Sequence, residues 1–119
     1  SSSTTPSREE LEEIIQLIKS SRRGQIVVGS LNPYDLAEDV IAFIKLLKWP
    51  TYFDVSSSLK YQFNLKDNAL PTFDHPEVQS ALIQDPPDII IHIGGRLTSK
   101  HYYTFLKQVH LAPAFCALL

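Results

Sequence analysis

One hexapeptide constrains this chain more than any other segment. Asp88-Ile89-Ile90-Ile91-His92-Ile93 is an apolar, β-branched run with no polar alternation, and Gly94-Gly95 ends it. A strand with one wet face alternates apolar and polar residues; this one does not, so both of its faces must be covered. Parallel sheets with helices on both sides meet that demand. Gln25-Ile26-Val27-Val28, followed by Gly29, is a shorter version of the same pattern, and Thr51-Tyr52-Phe53-Asp54-Val55 reads as another strand. Residues 114–118 supply a possible fourth.

Helical patterns fall between these runs. Leu11, Ile14, Ile15 and Ile18 recur at i, i+3, i+4 and i+7, which gives one apolar stripe, and Ser7 with Glu10 matches a capping box. Asn32-Pro33 signals a helix start, since Asn caps and Pro fits the first helical position. That helix runs to about Lys48, with Leu36, Ala37, Val40, Ile41, Ile44 and Leu47 inward. Phe43 and Leu46 widen its apolar face, and Trp49-Pro50 stops it. Residues 56–72 form a long polar connection. Asp74 and Glu77 cap a short helix over Val78, Ala81 and Leu82, which Pro86-Pro87 ends. Thr98 or Ser99 caps a last helix carrying Tyr103, Leu106 and Val109. Alternation of this kind predicts an α/β fold, a Rossmann-like parallel sheet of four or five strands with helices on both faces.

The length of 119 residues is enough for one core and not for two. Residues 1–7 read as a flexible tail and residues 8–119 as a single α/β domain. The net charge of −2 gives no general attraction to nucleic acid or to anionic membranes, and no apolar run approaches a bilayer span. Cys116 is the one cysteine, so no internal disulfide can form; it sits among apolar residues and reads as an inert core thiol. The apolar ending, Phe115 to Leu119, leads us to expect a chain cut from a longer one.

In such folds ligands gather at the carboxyl ends of the strands. The turn Gly29-Ser30-Leu31-Asn32-Pro33 lacks the later glycines of a dinucleotide fingerprint, although Asp54 stands where a ribose-binding acid would. Gly94-Gly95-Arg96-Leu97-Thr98-Ser99-Lys100-His101 is richer. Its glycines permit a tight bend, Thr98 and Ser99 set backbone N–H groups at a helix start, and Lys100 adds a mobile charge. The plain reading is a capped helix with a solvated lysine; the functional one is an anion-binding turn. His75, His92, His101 and His110 have no metal-ligand spacing, and His92 reads as a satisfied core side chain. Ser56, Ser57 and Ser58 lack the setting of an activated nucleophile. No acid–base pair stands out.

Several stretches together resemble the middle domain of 2-succinyl-5-enolpyruvyl-6-hydroxy-3-cyclohexene-1-carboxylate synthase, the SEPHCHC synthase family of menaquinone and phylloquinone synthesis. They are Arg23-Gly24-Gln25-Ile26-Val27-Val28-Gly29, Leu47-Lys48-Trp49-Pro50, Asp54 with its serines, Phe73-Asp74-His75, and Pro87-Asp88 through Lys100. The stretch from Gly29 to Pro50 is similar to the plant multifunctional type. The resemblance covers roughly residues 14–106. It departs at His101, where the family usually has arginine, and at Ser57-Ser58-Leu59-Lys60, where Ser-Gly-Leu-Arg is common. It departs again after His110, where the family's further strand is replaced or shortened.

The resemblance implies a division of labour. The parent enzyme is a transferase that decarboxylates 2-oxoglutarate and adds the succinyl unit to isochorismate, with thiamine diphosphate and Mg held by other domains. This domain binds no cofactor and contributes no catalytic residue in isolation. It reaches the anionic substrates through Lys100, with His101 and Ser99 beside it. Its partners are the parent's other domains, in an enzyme that is a homo-oligomer. A plant parent places it in the chloroplast, any other in the cytoplasm. The alternatives are a free-standing nucleotide- or anion-binding domain and a structural or dimerisation module.

Overall fold

The computed structural model describes residues 7–32, 37–63, 66, 68–70 and 75–111, together with the backbone of 114–116. Its elements are α1 (Arg8–Ser20), β1 (Gly24–Val28), α2 (Ala37–Leu47), β2 (Thr51–Phe53), β3 (Ala69–Leu70), α3 (Pro76–Gln84), β4 (Ile89–Ile93), α4 (Lys100–Gln108) and β5 (Ala114–Cys116). One five-stranded sheet runs in the order β3-β2-β1-β4-β5, and every neighbouring pair is parallel. The three apolar runs of the sequence therefore lie side by side at the centre. Val27 and Val28 align with Tyr52 and Phe53 on one flank and with His92 and Ile93 on the other.

All residues of β1 and β4 are buried, as their lack of alternation requires. Strand periodicity then sorts them into two cores. Ile26, Val28, Phe53, Ile89, Ile91 and Ile93 meet Val40 and Ile44 of α2, with Ile18 of α1 against the same cluster. Val27, Tyr52 and Ile90 meet Tyr102 and Phe105 of α4, with Leu82 of α3 beside them. Helices thus cover both faces. The chain passes from β1 outward to β2 and β3, then crosses to β4 on the other side of β1. The gap between β1 and β4 is the topological switch point.

Several local expectations need correction. In α1, Ser7 Oγ accepts from the Glu10 N–H at 3.1 Å, as the capping pattern predicts, but the helix buries no residue. Ile14 and Ile18 are half-buried, whereas Leu11 and Ile15 remain exposed. The start of the second helix at Asn32-Pro33, with Leu36, lies largely outside the described residues. Its end is set by Lys48 at φ +56°, one residue before Trp49-Pro50, and the Asn68 side-chain amide donates to the Lys48 carbonyl. Leu46 does not join the apolar face: it is 78% exposed. The second strand stops at Phe53, leaving Val55 exposed.

The polar connection after β2 is more structured than its composition indicates. Leu59 and Phe63 are buried, Phe63 stacks on Phe53 at 4.8 Å, and Lys60–Gln62 forms a 3-10 turn between them. Ala69–Leu70 is an edge strand that the sequence reading passed over. The cap of α3 is His75, whose Nδ1 accepts from the Glu77 N–H at 3.1 Å; Asp74 lies outside the described residues. On α4 the deepest residues are Tyr102 and Phe105, while Tyr103, Leu106 and Val109 are half-buried. The side chain of Cys116 is also outside the described set.

Two aspartates tie the rims of the sheet. At the amino rim, Asp88 accepts from Ser21 Oγ, from the Arg22 N–H at 2.7 Å and from the Arg23 N–H at 3.3 Å, which fixes the turn from α1 into β1. At the carboxyl rim, Asp54 is fully buried. One of its oxygens accepts from the Thr98 N–H at 3.0 Å and Thr98 Oγ1 at 2.8 Å, and the other from the N–H and hydroxyl of Ser56. Burial alone pushes this carboxyl up, but the bonds from Ser56 and Thr98 outweigh it and hold its pKa below the ordinary value. The Ser21 hydroxyl and the backbone N–H groups of Arg22 and Arg23 lower that of Asp88.

Between β1 and β4 the backbones nearly touch. The Gly29 N–H donates to the Ile93 carbonyl and the Gly95 N–H to the Ser30 carbonyl, each at 2.9 Å. A methyl group on Gly29 would sit 2.1 Å from the Gly95 carbonyl oxygen. Gly94 has φ +85°, a conformation that side-chain-bearing residues rarely adopt.

Gly29→Ala is expected to destabilise the domain by about 2 kcal/mol or more, because backbone rather than a movable side chain must yield. Thermal unfolding checks this, with a fall in Tm of roughly 10 °C at this chain length. Acid should also weaken the fold. Buried His92 and the two aspartates all have native pKa values below their unfolded ones, so the unfolded chain takes up each proton first. Stability is complete above about pH 6.5, begins to fall as the unfolded chain's His92 takes up its proton, and falls further below about pH 4 as the unfolded chain's carboxylates do the same. In Asp54→Asn, Tm measured across that range should start lower and lose part of the steep limb below about pH 4.

Candidate functional site

The loop between β4 and α4 stands at the switch point, where a parallel sheet offers its ligand crevice. Each turn of this loop has its own anchor. His92 is buried in β4, and its Nε2 lies 2.7 Å from the Gly95 carbonyl oxygen. A carbonyl only accepts, so Nε2 carries the proton. Nδ1 of the neutral ring then accepts from the Tyr102 hydroxyl at 3.3 Å. Burial pushes the imidazole pKa down and keeps the ring neutral near pH 7. Burial likewise raises the Tyr102 phenol, which stays a donor. His92 is thus the satisfied core histidine that its place in a strand predicts, with the added task of holding Gly95.

Further along, Leu97 is buried and its N–H donates to the Tyr103 hydroxyl at 2.8 Å. The Arg96 guanidinium lies over the Tyr103 ring, 4.0 Å from its centroid. Thr98 is taken by Asp54 through both its N–H and its hydroxyl, so that N–H is not offered to a ligand. Ser99 occupies the cap position of α4, is buried, and makes no side-chain bond to the first turn. Lys100 and His101 open the helix, and both are exposed.

The three residues singled out in the sequence therefore occupy one place but not one role. Lys100 and His101 face solvent at the carboxyl rim, whereas Ser99 lies beneath them in the loop's interior. Two residues that carry the site were underrated. Asp54 reads in the sequence as a common strand-end acid or a ribose ligand; its four hydrogen bonds make it a positioning group for the loop. Arg96 reads in the sequence only as one residue of the Gly94–His101 turn, yet it adds a second cation to the loop and lies over the ring of Tyr103, seven residues on. With Asp54 consumed internally, the loop offers solvent the positive groups Arg96 and Lys100. Such a surface attracts carboxylates and phosphates.

A metal diphosphate is a different matter. Among the described residues, no three His, Cys, Asp or Glu side chains are grouped to hold a metal ion. The backbone contact of Gly29 with Gly95 also fills the floor of the crevice. No metal-holding group is seen among the described residues. Among them, too, no helix is long and apolar enough to cross a membrane.

Comparison with known proteins places this geometry. The family model for the middle domain of thiamine pyrophosphate enzymes matches residues 3–114. A 2-succinyl-5-enolpyruvyl-6-hydroxy-3-cyclohexene-1-carboxylate synthase of Syntrophus aciditrophicus is 32% identical over 96 residues, which covers 81% of this chain and 16% of that protein. The synthase of the same name from Chlorobium chlorochromatii is 30% identical over 110 residues, 87% of this chain and 17% of the relative. The chloroplastic protein PHYLLO of Arabidopsis thaliana is 28% identical over 109 residues, 83% of this chain and 6% of its own length. The chain thus spans about one-sixth of the bacterial relatives and less of the plant one. An all-parallel sheet with helices on both faces, matched over nearly its whole length, settles its kinship: the chain belongs to the family of thiamine pyrophosphate enzyme middle domains.

Proposed function

We propose that this chain is the substrate-contacting middle module of a SEPHCHC synthase-like enzyme. The observation that carries the proposal is Lys100, exposed at the first turn of α4 on a loop anchored to three strands. The reactants that the resemblance implies, 2-oxoglutarate and isochorismate, are both polyanions. A lysine neutralises carboxylate charge without requiring fixed fork geometry. Hydrogen bonds hold the loop before it, so the backbone from which the lysine projects is positioned while its four-carbon stem stays adaptable. His101 adjoins it, and Ser99 sets the turn from which both residues project. Arg96, stacked on Tyr103, adds long-range attraction for anions.

In this reading the chain supplies substrate contact and not the reaction centre. Thiamine diphosphate supplies the carbanion chemistry of the parent. It is held with Mg by other domains, and no step of that chemistry falls on the residues described above. The parent is a homo-oligomer whose remaining domains are this module's partners. In a plant parent the module works in the chloroplast, as the chloroplastic Arabidopsis relative supports; in a bacterial one it works in the cytoplasm. The rival reading as a free-standing nucleotide domain is less well supported, because Gly29 and Gly95 meet where a nucleotide phosphate would approach.

Steady-state kinetics of the longer enzyme test the assignment. Lys100→Ala should raise KM for the anionic substrates by about 10- to 100-fold, the loss expected for a charge-assisted contact, with a smaller effect on kcat. His101→Arg should lower those KM values a few-fold. Unchanged kinetics in Lys100→Ala would remove that residue from the site. The 119-residue chain with thiamine diphosphate and Mg should not decarboxylate 2-oxoglutarate, and measurable turnover would refute the division of labour.

A further inference from the structure

The Arg96 side chain leaves the loop at the carboxyl rim, but it does not extend freely into solvent. Its guanidinium lies over the Tyr103 ring, 4.0 Å from the ring centroid. That ring is itself held. Its hydroxyl accepts from the Leu97 N–H at 2.8 Å. It also packs edge-on against the fully buried Tyr102, with 4.9 Å between centroids. Tyr103 thus holds two consecutive residues of the loop, Leu97 by its backbone and Arg96 by its side chain. An exposed arginine ordinarily samples many rotamers, and ordering it costs entropy; here an aromatic face carries part of that ordering in advance. The ring meets one face of the guanidinium, whose N–H groups lie around its edge. Among the described residues, none of those groups has a hydrogen-bond or ion-pair partner.

The ring also sets where the guanidinium stands. Tyr103 follows Lys100 by three residues in α4, so the two share a helix face, with Cβ atoms roughly 5–6 Å apart. A guanidinium over that ring is held beside the first turn, from which Lys100 projects. The two cations therefore flank one patch of the rim. Among the described residues neither is neutralised by an ion pair, and Asp54 spends both its oxygens on Ser56 and Thr98. The cations are not equivalent. Lys100 is a point charge on a flexible stem and can follow its ligand, whereas Arg96 is a planar fork whose paired N–H groups match the two oxygens of one carboxylate. Long-range attraction needs only the charge of Arg96; the stacking also fixes its plane. From this we infer that Arg96 is a second substrate contact, a fork that takes one carboxylate of a short dicarboxylate while Lys100 takes the other. Tyr103 acts through Arg96 and is a positioning residue. The inference rests on the function proposed above and assigns the end of the substrate that Lys100 leaves free.

Steady-state kinetics of the longer enzyme, with a dicarboxylate reactant varied, test this. Arg96 is exposed, so replacing it should leave the fold intact. Arg96→Gln should raise KM by about tenfold or more and change kcat by less than about threefold, as expected for a contact made alike in the ground and transition states. Arg96→Lys should keep KM raised by about threefold or more, because an ammonium is neither planar nor forked. A wild-type KM in Arg96→Lys would reduce Arg96 to a general charge and overturn the fork. Tyr103→Leu should raise the same KM by about threefold and add nothing when combined with Arg96→Gln; independent effects of the two would overturn the positioning role. On the 119-residue chain, the Arg96 Nε–H resonance is identified by its loss in Arg96→Gln. It should shift saturably with succinate, and butyrate, with one carboxylate, should bind about tenfold more weakly or worse. Equal affinities would overturn recognition at two points. A raised KM in Lys100→Ala beside an unchanged one in Arg96→Gln would overturn this inference and leave the proposed function standing. An unchanged KM in Lys100→Ala would remove that function and this inference with it.

Discussion

The carboxyl rim of this domain depends on one buried carboxylate. A parallel sheet brings the ends of its strands into register, but it does not dictate the paths of the loops that leave them. Asp54 does so here by accepting from Ser56 just after its own strand and from Thr98 two strands away. A buried charge is tolerated only when its lone pairs are used, and four bonds use them. The cost of burial and the gain from hydrogen bonding thus meet in one residue, and its lowered pKa records which of them wins. The path of the loop before Lys100 follows from that balance.

A second constraint acts between β1 and β4. Gly29 and Gly95 bring two loop backbones to a distance that no side chain permits, and reciprocal hydrogen bonds hold them there. In doubly wound folds this gap is where a ligand's phosphate approaches a helix start. Here backbone fills it. The same close approach ties the two loops together, and the loop after β4 presents Arg96 and Lys100 outward from it.

What could be read from the sequence follows the strength of each local signal. The Ile-rich run of β4 and the Ile-Val-Val of β1 had no stable place except the sheet centre, and they lie there. The periodicity of α2 located Val40 and Ile44 correctly. Strand β3 was missed because two residues at a sheet edge carry no periodicity, and register with β2 alone makes them a strand. The inward face of α4 was legible in part: Tyr103, Leu106 and Val109 pack against the core as expected, but Tyr102 and Phe105 lie deeper, and all of these side chains are apolar enough to be buried. His92 and the neighbouring strand choose among them. Helix α1 shows the reverse error, a well-formed stripe that the sheet covers only in part. Local pattern establishes that a stripe exists; it does not establish what lies opposite.

The site obeys the same rule. The residues between Gly94 and Lys100 were legible as a turn into a helix, and their resemblance to a known motif singled out Lys100. That Ser99 faces inward while Lys100 faces solvent depends on the angle at which α4 leaves the loop. That angle depends in turn on Asp54, which holds Thr98 from 44 positions earlier in the chain. A long-range hydrogen bond leaves no trace in a periodicity, so a strand-end aspartate reads the same whether it binds a sugar, meets water or clamps a loop. The partner decides, and Thr98 is polar for reasons the local sequence equally assigns to helix capping. Functional side chains on α/β rims are read most reliably in pairs: the exposed group that meets the ligand and the buried group that fixes its loop.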